Sequence, residues 1–115
     1  MNMTKENVNM NMRQKAMISQ PMRGMSRDDI LAARENAIAF LTEQGYDAVD
    51  NYFADFPGND FVSDDTRSVP IAYLAKSIEA MSKCDAVYFC KGWANARGCK
   101  IEHEIAEKYG LTIFD

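Results

Sequence analysis

The residues able to do chemistry gather in two stretches, "SQPMRGMS" (Ser19 to Ser26) and "KGWANARGCKIEHEIA" (Lys91 to Ala106). The first offers Arg23 and Gly24 just before a helical pattern opens. Helix N-terminal N–H groups receive anions, glycine lets a ligand approach the backbone, and arginine makes bidentate contacts to phosphate or carboxylate. A plain turn with a solvated arginine would read the same way. The second stretch offers Lys91, Trp93, Asn95, Arg97, Gly98 and Glu102. Trp93 suits stacking on a base or sugar, and equally suits packing against a sheet edge. Glu102 is expected in the first turn of a helix, where the dipole favours a carboxylate by ~0.3–1 kcal/mol. That serves a cap, or a nucleophile that must stay ionised. Glu104 lies about 200° further round at ~100° per residue. Ile101 and Ile105 are expected to mark the buried stripe, with Glu102 on its border. His103 reads as a surface or packing residue.

Those stretches need a frame. "KAMIS" (Lys15 to Ser19) reads as a strand, and Ser26 then caps a helix whose stripe is Ile30, Ala33, Ala37, Phe40 and Leu41. Gly45 is its stop. "YDAVDNYF" (Tyr46 to Phe53) reads as a second strand and Ala54 to Val69 as a loop. A second helix runs from about Pro70 to Lys83, with Pro70 in its first turn. "DAVYFC" is a third strand, apolar enough to be covered on both faces. "GCKIEHEIAEKYG" is a third helix, and "LTIFD" a last strand. The alternation implies an α/β fold: a three-layer sandwich on a four- to five-stranded parallel sheet, flavodoxin- or Rossmann-like. In a flavodoxin-like order the first and third strands are neighbours. Their two loops then meet at the switch point, where ligands sit.

Composition narrows the function. The 115 residues suit one domain, expected over 15–115, and the net charge of −4 disfavours a polymeric nucleic-acid partner. Residues 1–14, "MNMTKENVNMNMRQ", are polar and without period, and read as a disordered arm lacking the apolar core of a signal peptide. No apolar run approaches the ~20 residues that span a bilayer. Three cysteines, Cys84, Cys90 and Cys99, form an odd set without a C-x-x-C pair, which points to small buried hydrophobes in a reducing, cytoplasmic compartment. Cys99 near a helix start is also a candidate thiol, although no base is visibly placed to serve it. One histidine does not build a Cys/His zinc site. Five aspartates between Asp50 and Asp65 lack the spacing of a calcium loop.

"SQPMRG" after a strand, together with "CDAVYFCKGWANARGCKIEHEIAEKYGLTIF", resembles the nucleoside 2-deoxyribosyltransferase superfamily and its 2'-deoxynucleoside 5'-phosphate N-hydrolase relatives, over about Lys15 to Asp115. Gly98, Glu102 and Ala106 match the Gly-x-x-x-Glu-x-x-x-Ala pattern. The resemblance implies Glu102 as nucleophile on a deoxyribosyl anomeric carbon. It implies a ligand-binding set of Ser19, Gln20, Pro21, Arg23, Gly24, Trp93, Asn95 and Gly98, with Arg23 meeting a 5'-phosphate. It implies no metal or organic cofactor, and a homodimer or higher homo-oligomer. Where the superfamily usually has a helix carboxylate and a Ser or Asp two residues before the matched glycine, this chain has Ser77 and Ala96. The activity expected is cleavage or transfer at the N-glycosidic bond of a deoxynucleoside or its 5'-monophosphate; the alternative is a non-catalytic nucleotide-binding module. The oligomer has a second motive, because the helix from Pro70 carries more apolar residues than one sheet-facing stripe needs.

Overall fold

A computed structural model describes residues 13–49 and 62–115 of the chain. Strand β1 (Gln14–Ser19) leads through the first loop into helix α1 (Arg27–Glu43) and strand β2 (Tyr46–Ala48). Helix α2 (Val69–Met81), strand β3 (Ala86–Phe89), a single 3-10 turn (Trp93–Asn95), helix α3 (Arg97–Lys108) and strand β4 (Thr112–Phe114) follow. Among the described residues the sheet has four strands in the order β2-β1-β3-β4, all parallel. β1 and β3 are neighbours, with Ala16 paired to Ala86 and Ser19 to Phe89.

Local chemistry sets the helix ends. The Ser26 hydroxyl accepts the Asp29 N–H at 3.1 Å and opens α1. Gly45, at φ 93°, turns the chain out of it. Ser68 accepts the Ile71 N–H, and Pro70 fills a first-turn position that needs no donor.

Alternation along the strands builds two apolar layers. Ala16, Ile18, Ala86 and Cys90 pack with Ala37 and Leu41 of α1 and with Tyr46. Phe40 makes ring contacts with Tyr88 and Phe114 on the same side. Met17, Val87 and Phe89 pack on the opposite side with Met81 of α2 and Ala106 of α3. The result is the expected α/β sandwich, with α1 over one face and α2 and α3 over the other. No helix among the described residues is long and apolar enough to cross a membrane.

Four sequence expectations change. β1 starts at Gln14, one residue early, and Arg13 pairs with Asp47 at 2.6 Å, so the fold begins before residue 15. The rest of the proposed arm, and residues 50–53 of the proposed second strand, lie outside the described residues. α3 begins at Arg97, which moves Glu102 from the first turn into the second. Finally, Ile101 is exposed, and the buried face of α3 is Cys99, Glu102 and Ala106. Glu102 thus stands at the centre of the buried stripe rather than on its border.

Candidate functional site

The loops after β1 and β3 meet over the carboxyl end of the sheet. The Cys90 N–H donates to the Ser19 carbonyl at 2.9 Å, which carries the pairing of β1 and β3 up to the loop mouths. One step on, a Cβ built on Gly92 would stand 3.6 Å from Pro21 Cγ. Gly92 has φ 90°, a left-handed conformation that favours glycine, and it lets the second loop turn sharply beside the first.

A cleft of about 810 Å³ opens there. Its floor includes Ile18, Ser19, Cys99 and Glu102; α2 supplies Pro70, Tyr73, Leu74 and Ser77. Arg23, Arg34, Lys91 and Arg97 also line it, against Glu102 as the one lining carboxylate among the described residues. The chain as a whole is acidic, so positive charge has been concentrated at this place.

Glu102 is 7% exposed, and the Ser19 hydroxyl donates to its Oε1 at 2.6 Å. Burial pushes its carboxyl above the usual carboxylate value, and the hydroxyls of Ser19 and Ser77 pull the other way. Desolvation, and not the helix dipole, is therefore the dominant influence on this carboxylate. The residue lies past the first turn, where the dipole has decayed, and desolvation is the larger influence. What remains is a carboxylate held by hydroxyls from β1 and α2, deprived of water on the sheet side and facing a cleft on the other. Such a group is an oriented, weakly solvated nucleophile when ionised and a proton donor when neutral.

The thiols have no comparable role. Burial pushes Cys90 up to about 11, with Cys99 adding and Arg34 opposing. Burial also raises Cys99, against the Ser19 hydroxyl. Cys99 lines the cleft as a neutral thiol. Among the described residues no three His, Cys, Asp or Glu side chains gather as a metal site.

Of the residues expected at the site, Ser19, Gln20, Pro21, Arg23, Asn95, Gly98 and Glu102 line the cleft. Gly24 and Trp93 do not. Gly24, at φ 79°, makes the bend that carries the first loop into α1. Trp93 takes the packing alternative: its indole stacks on His103 with ring centroids 3.9 Å apart and planes 5° from parallel. Phe89 packs against both rings, and His103 Nε2 meets Asp115 Oδ2 at 3.3 Å. This cluster ties the second loop to α3 through one indole face, and the indole does not line the cleft.

Sequence reading missed Arg34, Tyr73 and Leu74 as lining residues, and named Ser77 only as standing where the resembled superfamily usually has a carboxylate. The signal for Arg34 was present: Ile30, Arg34, Ala37 and Leu41 follow one helical stripe, and Arg34 is its charged member. Ser77 likewise lies between Leu74 and Met81 on a stripe of α2.

No curated protein and no solved structure matches the chain. A family model does match it, over residues 14–115, from the start of β1 through the cleft to the last residue, and the chain belongs to that family, described as a domain of unknown function (DUF4406).

Proposed function

We propose that the cleft binds a deoxynucleoside or its 5'-monophosphate and that Glu102 cleaves or transfers at its N-glycosidic bond. The observation that carries this reading is the setting of Glu102: one buried carboxylate, held by Ser19 at 2.6 Å, at the floor of a cleft whose other charged lining residues, among those described, are all cations. A Glu102 oxygen attacks the anomeric carbon. The carbon–nitrogen bond breaks, its electron pair leaves with the base, and the base takes a proton from solvent. The resulting glycosyl ester is opened by water (hydrolysis) or by a second base (transfer), which returns the carboxylate. Ser19 and Ser77 orient the attacking group and act in place of a second carboxylate. Arg23 and the opening of α1 suit the 5'-phosphate, and Tyr73 and Leu74 offer an apolar wall for the base.

One observation favours a second reading. The described lining holds no other carboxylate to protonate the leaving base, which suits a nucleotide-binding module without turnover. Incubation with a panel of deoxynucleosides and their monophosphates, followed by chromatography, separates the two. Free or exchanged base that disappears in Glu102→Gln supports the enzyme; saturable binding without base release supports the module.

A homodimer closing the open side of the cleft belongs to the same proposal. Val69 and Ile71 are 46% and 65% exposed at the α2 end that supplies Pro70 and Tyr73 to the wall. Large apolar residues left in water beside a ligand cleft favour a symmetric partner. Three free buried cysteines fit a reducing, cytoplasmic setting.

A further inference from the structure

We infer that Gln20 reads the 3'-hydroxyl of the bound deoxynucleotide through its side-chain oxygen. The inference rests on the nucleotide reading above for the placement of sugar and phosphate, but not on turnover. It begins with an amide that is only half used. Gln20 follows the last residue of β1 and lines the cleft. Its Nε2 donates to the Ile30 carbonyl near the start of α1 at 3.1 Å. A carbonyl only accepts, so that bond fixes which end of the amide faces the helix. The other end, Oε1, is buried and has no hydrogen-bond partner among the described residues. Buried polar atoms without partners are uncommon in native folds, and each one needs a cause. Bracing the first loop on α1 accounts for Nε2 and leaves Oε1 without a task.

The chemistry of the cleft says what suits that oxygen. The lining cations answer the anions of a ligand, but a ligand hydroxyl needs an acceptor. The Ser19 hydroxyl is given to Glu102 at 2.6 Å, and Glu102 itself is committed to the anomeric carbon under the proposed function. Asn95 is exposed, so solvent serves it. Chain order supplies the position. Ser19, bonded to Glu102, directly precedes Gln20, and Arg23 follows it in the same loop. With C1' at Glu102 and the 5'-phosphate at Arg23, the sugar lies along the Gln20 segment between them. A 2'-deoxynucleoside 5'-monophosphate keeps a single sugar hydroxyl, at C3', and that is the donor it presents there. A turn of the amide about its last torsion, which has a broad minimum, brings Oε1 to it. Binding then replaces an orphaned acceptor by a paired one. The gain goes to a ligand that carries the hydroxyl and is withheld from one that lacks it.

Calorimetric titration of the full chain carrying Glu102→Gln, chosen so that turnover does not intrude, tests this. The ligands are the four 2'-deoxynucleoside 5'-monophosphates, their 2',3'-dideoxy counterparts and their 3'-fluoro counterparts. The hydroxyl-bearing ligand is expected to bind at least about tenfold tighter than the dideoxy one, or ~1.4 kcal/mol. The 3'-fluoro compound, which fills the place without donating, is expected to follow the dideoxy one. Adding Gln20→Met, which keeps the length of the side chain and removes both polar atoms, is expected to bring all three within about twofold of one another. Gln20→Asn, which draws the amide back by one methylene, is the second variant and is expected to lose most of the preference. Loosening of the first loop affects deoxy and dideoxy ligands alike and cancels in the comparison. Equal affinities for the two in the chain that keeps Gln20 overturn the inference. So does a 3'-fluoro compound that binds as tightly as the hydroxyl, or a preference that survives either Gln20 variant. Those failures leave the nucleotide reading standing, whereas binding by none of the monophosphates overturns both.

Discussion

Replacing Glu102 by glutamine is expected to stop base release and also to stabilise the protein at neutral pH. The side chain is 7% exposed, and burial is the largest influence on its carboxyl, raising it from 4.5. The folded protein therefore holds this proton more tightly than the unfolded chain does. The corresponding stability is fully present below 4.5 and is lost as pH rises through the higher folded value. Each pH unit separating the two values is worth ~1.4 kcal/mol above both. Ionised Glu102 draws charge-assisted bonds from Ser19 and Ser77, each stronger than a neutral one by about 1 kcal/mol. Those bonds are already inside the net upward displacement, so they reduce the effect without reversing it. Glutamine keeps the shape, accepts from the same hydroxyls and has no proton to lose. Each 1 kcal/mol gained at neutral pH raises the melting temperature by ~4–8 °C in a domain of this size. Melting curves of both proteins between about pH 4 and pH 8 give the difference directly, with contributions from other groups cancelling. The difference should be near zero at the acid end and grow as pH rises. Parallel curves, or a variant that loses stability relative to wild type as pH rises, would refute the reasoning that burial dominates at this carboxylate.

Arg23→Ala is expected to weaken 5'-monophosphate binding by about 1.5–3 kcal/mol, the worth of a hydrogen bond to a charged group, with little change for the nucleoside. Equal effects on both ligands in calorimetry would remove Arg23 from phosphate recognition. Cys84 and Cys90, both raised to about 11, should resist a thiol-reactive disulfide at neutral pH and label fully only on unfolding. Fast stoichiometric labelling of the folded protein would contradict their burial. Light scattering at tens of micromolar is expected to give twice the 13.0 kDa chain mass, and Ile71→Glu to return it to the monomer. A monomeric wild type would leave Val69 and Ile71 without a partner copy.

The framework was legible because it is written in short-range patterns. The Ser26 cap, the Gly45 stop and the Pro70 start are local backbone chemistry, and each stands where the sequence puts it. The nearness of the first and third strands followed from alternation and handedness, and it brought Ser19 and Glu102 to one point although 83 residues separate them. Less legible was anything that depended on the exact residue at which a helix begins. "ANARGCKIE" offers no capping side chain: Ala96 is the N-cap and makes no side-chain bond. With no cap to fix the start, Glu102 read as a first-turn residue under the dipole. It is a second-turn residue under desolvation, and the sign of its pKa displacement reversed with the position. Trp93 was open for a different reason. An indole in a glycine loop packs or stacks on a ligand according to what the neighbouring helix presents, and His103 supplied a face at 3.9 Å.

The departures at Ser77 and Ala96 take on meaning in the same geometry. A second carboxylate at position 77 would lie in hydrogen-bonding reach of buried Glu102, and two carboxylates in one dry site raise each other's pKa until they share a proton. A serine there removes the repulsion and donates instead. Glu102 then titrates as a single group, opposed only by desolvation and assisted by two hydroxyls. Ala96 matters differently: it is the N-cap of α3 and offers no side-chain bond to the opening N–H groups. Arg97, Gly98 and Cys99 line the cleft, and under the proposed function the acceptor for those N–H groups is the anionic ligand. Against the pattern it resembles, this chain keeps less negative charge of its own at these two positions.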